Sequence, residues 1–135
     1  MIIRNDMELA AAKQLSLDFS CTPQDFFKNE NTVTVPAIRR GRRVFSDEPP
    51  FFRAATMGMG AVISASADIA EYTRVLAKNT AGTEIFTASV MSALNRELFS
   101  HGCCIGLLNQ YYVPAVPYRP AVRSEGFTLR VFDEN

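Results

Sequence analysis

Apolar residues recur at three- and four-residue spacing through Met7–Phe19, where Leu9, Ala12, Leu15 and Phe19 interrupt strong helix formers. This spacing predicts an amphipathic helix with Asn5 or Asp6 as its cap. Cys21 to Phe27 then reads as a second short helix, with Thr22 as N-cap, Pro23 in the first turn and Asp25 in that turn. The period changes to two at Asn31-Thr32-Val33-Thr34-Val35, a strand closed by Pro36.

Two apolar runs, Phe51–Met57 and Ala61–Ala65, flank Gly58-Met59-Gly60 and predict a β-hairpin. A helix over Asp68–Lys78 follows, with Ser66 placed to cap it and Ile69, Tyr72, Val75 and Leu76 on its apolar face. A third runs from about Ile85 to Ser100, burying Phe86, Val90, Leu94, Leu98 and Phe99 and stopping at His101-Gly102. Cys104–Val113 and Phe127–Phe132 read as strands joined by a Pro-rich crossing between Pro114 and Pro120. The order predicts an α+β fold: a small mixed or antiparallel sheet of about five short strands, with two to three helices packed on it.

Length and charge narrow the function classes. A chain of 135 residues is a single domain that buries roughly two-thirds of its unfolded surface and needs no disulfide or metal to fold. Fourteen basic residues balance fourteen acidic ones, so no global field exists to hold a nucleic acid. No apolar run reaches the ~18 residues of a membrane span, and the start Met1–Asp6 lacks a signal peptide's pattern. A cytoplasmic location follows. Three cysteines, Cys21, Cys103 and Cys104, make no even disulfide framework, and a lone histidine, His101, gives no zinc spacing.

Four positions carry candidate chemistry. Gly58-Met59-Gly60 resembles a phosphate-cradling loop only superficially, because a strand follows it and no helix N-terminus does. His101 beside Cys103 and Cys104 suggests a nucleophile pair, although sequence neighbours seldom present both side chains to one substrate. Arg39, Arg40, Arg42 and Arg43 around Gly41 form the strongest charge cluster, suited to bidentate binding of a carboxylate or phosphate, with Asp47 and Glu48 offsetting half of it. Tyr111 and Tyr112, after Asn109 and Gln110, place one ring in the core and the other outside, against a ligand or a neighbouring domain.

Several of these strings together resemble a known group. Ala12-Lys13-Gln14-Leu15-Ser16-Leu17-Asp18-Phe19-Ser20-Cys21-Thr22-Pro23-Gln24-Asp25-Phe26, then Gly41-Arg42-Arg43, Phe51–Gly58, Ala61–Ala65 and Tyr112-Val113-Pro114, resemble in order the N-terminal region of bacterial GNAT-superfamily N-acetyltransferases. The resemblance implies an accessory domain that precedes an acetyl-CoA-dependent catalytic half, in cis or in trans. The family's pyrophosphate loop, [RQ]xxGx[GA], is not among these residues; its nearest relative, Ala55–Gly60, lacks the leading Arg or Gln and opens a strand. The resemblance therefore implies no catalytic or cofactor residue in this chain, acetyl-CoA bound by the other half, and Arg42, Arg43, Tyr111 and Tyr112 as substrate or interdomain contacts. Two other readings stand beside it: a stand-alone binding module, as a homodimer, and an independent enzyme built on His101 and a cysteine.

Overall fold

Three helix-rich segments and one small sheet make up the computed structural model, which describes residues 6–44, 46–106 and 108–109. Helix α1 spans Asp6–Asp18 and ends in a turn built by the chain itself. Ser20 takes a positive φ of 56° and lets the Cys21 amide donate to the Ser16 carbonyl at 3.1 Å, which satisfies an otherwise orphaned helix acceptor. The Ser20 hydroxyl then exchanges two hydrogen bonds with the backbone of Ala37, at 2.9 and 3.1 Å, tying this corner to the segment after the first strand.

Thr22 opens the 3-10 helix Pro23–Phe27, as its sequence position suggests. The Asp25 carboxylate accepts from both the Thr22 amide and the Thr22 hydroxyl at 2.8 Å, and from Lys28 Nζ at 2.6 Å. Phe26 is fully buried edge-on to Phe19, with ring centroids 5.8 Å apart.

Strands β1 (Thr32–Thr34), β2 (Phe52–Thr56) and β3 (Ala61–Ala65) form a mixed sheet in the order β1-β3-β2. β3 is central and wholly buried; it pairs parallel with β1 and antiparallel with β2, the latter as the expected hairpin. One sheet face carries Val62 and Ala55 against Phe19, Cys21 and Phe26. The other carries Ile63, Val33 and Ala54 against Ala77, Ile85 and Val90. The sheet is thus sandwiched between the α1 corner and the later helices, an α+β arrangement.

Gly58, at φ 96°, makes the hairpin turn, while Gly60 is needed for a different reason. Its amide donates to the Lys28 carbonyl at 2.8 Å, and a methyl group on it would collide with the backbone of Glu30. Asn31 ties the same region to the far helix: its side chain donates to the carbonyls of Ala77 and Thr80 and accepts from the Ala61 amide.

Helix α2 runs Ala67–Lys78 with Ser66 at its N-cap. Its buried face is Ile69, Ala70, Thr73 and Ala77, rotated from the expected stripe, so that Tyr72 and Val75 lie exposed. Small residues let the helix axis approach β1 and β3 closely, and the Thr73 hydroxyl is satisfied by the Ile69 carbonyl at 2.8 Å. The third predicted helix is in fact two pieces, a 3-10 helix over Gly82–Phe86 and α3 over Ala88–Ser100. Thr87 is extended (φ −71°, ψ 153°) and serves as the N-cap of α3, because its hydroxyl bonds the Glu84 carbonyl instead of continuing the helix. Leu94 and Leu98 are buried as expected, but Phe99 faces outward. Gly102, at φ 72°, terminates α3 with the Cys103 amide on the Leu98 carbonyl and its own amide on the Phe99 carbonyl.

The sheet has three strands among the described residues, not about five. Residues 104–106 and 108–109 carry no strand, since the Ile105 amide is taken by the Asn95 side chain at 2.7 Å. The rest of the expected strand up to Val113, the Pro-rich crossing and Phe127–Phe132 lie outside the described residues, as do Tyr111 and Tyr112. Among the described residues no helix is long and apolar enough to cross a membrane.

Candidate functional site

The arginine loop is ordered by a carboxylate that hydropathy alone conceals. Asp18, the last residue of α1, is buried. It accepts from the Arg43 amide at 2.8 Å, from Arg43 Nε at 2.7 Å and from Gln14 Nε2 at 3.2 Å. Gln14 also donates to the Gly41 carbonyl at 3.1 Å. Gly41 itself sits at φ 87°, with its α-carbon side against Leu17, so the loop folds back onto α1.

The other arginines have separate tasks. Arg42 donates to the carbonyls of Ser46 and Asp47 at 2.9 and 3.3 Å, so it braces the following loop through its backbone and not through the acids. Arg39 donates to the Cys21 carbonyl at 2.9 Å. Arg42 and Arg43, singled out from the sequence, thus both have named structural partners. Around them Val35, Ile38 and Val44 are exposed, giving a surface of mixed arginine and aliphatic groups on a braced backbone.

Arg53 is the charged residue that sequence reasoning passed over. It lies on β2 opposite Ser64 of β3, on the sheet face that also carries Ala55 and Val62. Burial and the nearby Arg42 and Arg43 pull its pKa below the ordinary arginine value, with Asp18 opposing them; the guanidinium stays cationic at neutral pH. Its signal in the sequence was a single charge inside the apolar run Phe51–Met57.

Arg53 lines a cleft of about 500 Å³ together with Val35, Pro36, Ser46, Glu48, Pro49, Pro50, Phe51, Ser66 and Ala67. A second depression, of about 540 Å³, lies between β1 and the C-terminal end of α2, bordered by Glu30, Arg74 and Lys78. Both are broadly open to solvent.

Cys21 is not a nucleophile at neutral pH. Burial, reinforced by the negative charge of Asp25, pushes the Cys21 thiol up to about 11, so it is protonated at neutral pH. Cys103 is half-buried, with its thiol 3.7 Å from the His101 carbonyl oxygen, and Cys104 is exposed. The His101 ring is held by other groups: Nε2 is 3.6 Å from Glu97, and the ring packs 5.6 Å from that of Phe51. Among the described residues no group of three His, Cys, Asp or Glu is placed to hold a metal ion.

Comparisons with known proteins add no assignment: no protein-family model, no curated protein and no solved structure matches this chain.

Proposed function

We propose that this domain is the cytoplasmic accessory domain of a GNAT-like N-acetyltransferase, packing against an acetyl-CoA-binding catalytic half and helping to wall the acceptor-substrate cleft. The supporting observation is the surface around the arginine loop. Asp18 and the Arg39 and Arg42 bonds brace the backbone while Val35, Ile38 and Val44 stay exposed. Arginine and apolar groups on a pre-ordered backbone are the composition of an interface core, and little ordering entropy opposes its docking. The resemblance of Ala12–Phe26 and Gly41-Arg42-Arg43 to the family's N-terminal region supports the same reading.

The test is alanine substitution in a full-length transferase carrying this domain. Changes at Arg42, Tyr111 and Tyr112, together with Ile38→Ala, are expected to raise the acceptor KM or lower kcat. Arg43 is better changed to Lys, since its loss also disturbs Asp18. Unchanged acceptor kinetics in all of these variants would remove the substrate-wall role.

The second reading, a stand-alone homodimeric module, draws on the exposed Val75 of α2 and Phe99 of α3. Light scattering of the chain separates the two: a dimer lost on Phe99→Ser favours it, and a monomer at all concentrations excludes it.

A further inference from the structure

Hydrogen-bond alternation along β2 leaves one edge of the sheet open. The ladder continues one residue past both strands, where the Ser66 amide donates to the Phe51 carbonyl at 2.8 Å, and the register sets these two residues directly opposite. A bond between opposite residues marks a hydrogen-bonded pair, and such pairs alternate with non-bonded ones along an antiparallel ladder. Arg53 with Ser64 and Ala55 with Val62 are therefore the bonded pairs, and Phe52, Ala54 and Thr56 turn their amides and carbonyls away from β3. A second bond fixes the same phase: the Ala61 amide, opposite Thr56, points away from β2 and donates to the Asn31 side chain at 2.8 Å.

Among the described residues nothing meets those outward groups. No turn, loop or side-chain hydrogen bond engages the backbone of Phe52, Ala54 or Thr56, and Thr56 bonds the hairpin only through its hydroxyl. β3 is buried along its whole length, whereas every residue of β2 is half-buried, as an edge strand is. Natural sheets blunt such an edge with proline, a bulge or exposed charge, because a row of unpaired amides and carbonyls recruits another strand. Here the register runs unbroken from Phe52 to Thr56, no proline interrupts it, and the one charge, Arg53, is half-buried.

The chain itself leads toward this edge. After α3, Cys103 and Ile105 join Phe51 and Phe52, at the beginning of β2, around Ala65, Ile69 and Leu98. The Asn95 side chain holds the Ile105 amide at 2.7 Å, so the backbone is delivered to that point ahead of Gln110–Asn135, which lie outside the described residues. Within that stretch Phe127–Phe132 is rich in β-branched and aromatic residues, with Phe127, Leu129 and Val131 on one side of its alternation. β2 is likewise apolar on one face, where Phe52 and Ala54 join the cluster around Ile63 and Ile85. The roughly 20 residues between Gly106 and Phe127 extend to about 65 Å, several times the ~17 Å of a five-residue strand, so length permits either direction of pairing.

We propose that the outer edge of β2 is a strand-addition surface and that Phe127–Phe132 of this chain fills it as a fourth strand. Phe127, Leu129 and Val131 then extend the apolar face formed by Phe52 and Ala54. Pairing within one chain loses no translational freedom and removes an edge that would otherwise recruit a second molecule. The assignment does not rest on the accessory role and is tested on the chain alone, so its failure leaves that role standing.

The experiment is amide hydrogen exchange by NMR on the full 135-residue chain, at low and high protein concentration, with NOEs from the same samples. The amides of Phe52, Ala54 and Thr56 are expected to exchange about a hundredfold or more slowly than unstructured amides, alongside those of Arg53 and Ala55 that β3 already holds. NOEs should connect Phe52–Thr56 with Phe127–Phe132. Thr128→Pro and Leu129→Pro each remove one strand amide, and the one that faces β2 should return the three edge amides to within about tenfold of the unstructured rate while Arg53 and Ala55 stay protected. Free exchange at Phe52, Ala54 and Thr56 in the wild-type chain would overturn the filled edge. Protection that survives both proline variants would overturn this occupant, and protection that grows with concentration would assign the edge to a second copy instead. If a proline variant also loses protection at Arg53 and Ala55, the wild-type NOEs decide, and their absence overturns the proposal.

Discussion

Replacing Asp18 by alanine tests the brace beneath the arginine loop. The carboxylate is nearly inaccessible, with 1% of its side chain exposed, whereas the Arg43 side chain is 52% exposed. The two partners therefore lose different amounts. After Asp18→Ala the Arg43 guanidinium returns to water and its share is small, about 0–1 kcal/mol. The Arg43 amide loses its acceptor in a part-buried hydrogen bond, and a donor left unmatched at such a site costs about 1–3 kcal/mol. The vacated volume adds about 1 kcal/mol. The expected loss is about 2–5 kcal/mol, a large fraction of a typical domain's 5–15 kcal/mol. Asp18→Asn keeps an acceptor for the amide but turns a donor toward Arg43 Nε, so about 1–2 kcal/mol is expected. Urea unfolding followed by circular dichroism measures each variant, and a double-mutant cycle with Arg43→Ala gives the coupling. Asp18→Ala within about 0.5 kcal/mol of wild type would refute the brace, since that is the scatter of ordinary surface changes.

Other expectations follow from single contacts. Gly60→Ala should destabilise by about 2 kcal/mol or more, because the added methyl meets the Glu30 carbonyl and the Lys28 carbonyl oxygen at 2.8 Å; a stability equal to wild type in thermal unfolding would contradict that approach. Alkylation followed by mass spectrometry at neutral pH should label Cys104 first and leave Cys21 unmodified until the protein unfolds, as its thiol titrates near 11; early labelling of Cys21 would contradict its burial. Burial raises the Asp25 pKa, but the Lys28 ammonium and the Thr22 amide and hydroxyl outweigh it, so the net shift is downward. Its folded pKa is below the unfolded value near 3.8, so its stabilisation is present above that pH and is lost as the pH falls through the folded value. Asp25→Asn should therefore be less stable than wild type at neutral pH and converge with it in acid; a gap that persists at pH values where Asp25 is protonated would refute this linkage.

Local signals carried much of this fold. Thr22-Pro23 with Asp25 three residues after the cap, Gly58-Met59-Gly60 between apolar runs and Gly102 after α3 each act within a few residues and sit where their chemistry suggests, while Ser66 takes the N-cap position of α2 without a side-chain capping bond. The break at Thr87 escaped notice because the apolar spacing of Ile85, Phe86 and Val90 continues across it, while the decision rests on one hydroxyl bonding backwards to Glu84. The rotation of α2 had a tertiary cause: which stripe turns inward depends on how closely β3 admits the helix, and alanines at 70 and 77 permit a closer approach than Tyr72 and Val75 do. The site was less legible. Four arginines in a loop announce charge, but their partners come from α1 and from backbone carbonyls far from any motif. Arg53, alone in an apolar strand, becomes notable only when β3 sets Ser64 beside it and the start of α2 closes the same cleft.

The accessory role proposed above assigns acetyl-CoA to a catalytic half other than these residues. Calorimetric titration of the 135-residue chain with acetyl-CoA and with CoA tests it most directly. The expected result is no binding tighter than the roughly millimolar attraction of a single oxyanion for one arginine. Saturable binding in the micromolar range would contradict the account and make the chain a complete, divergent transferase.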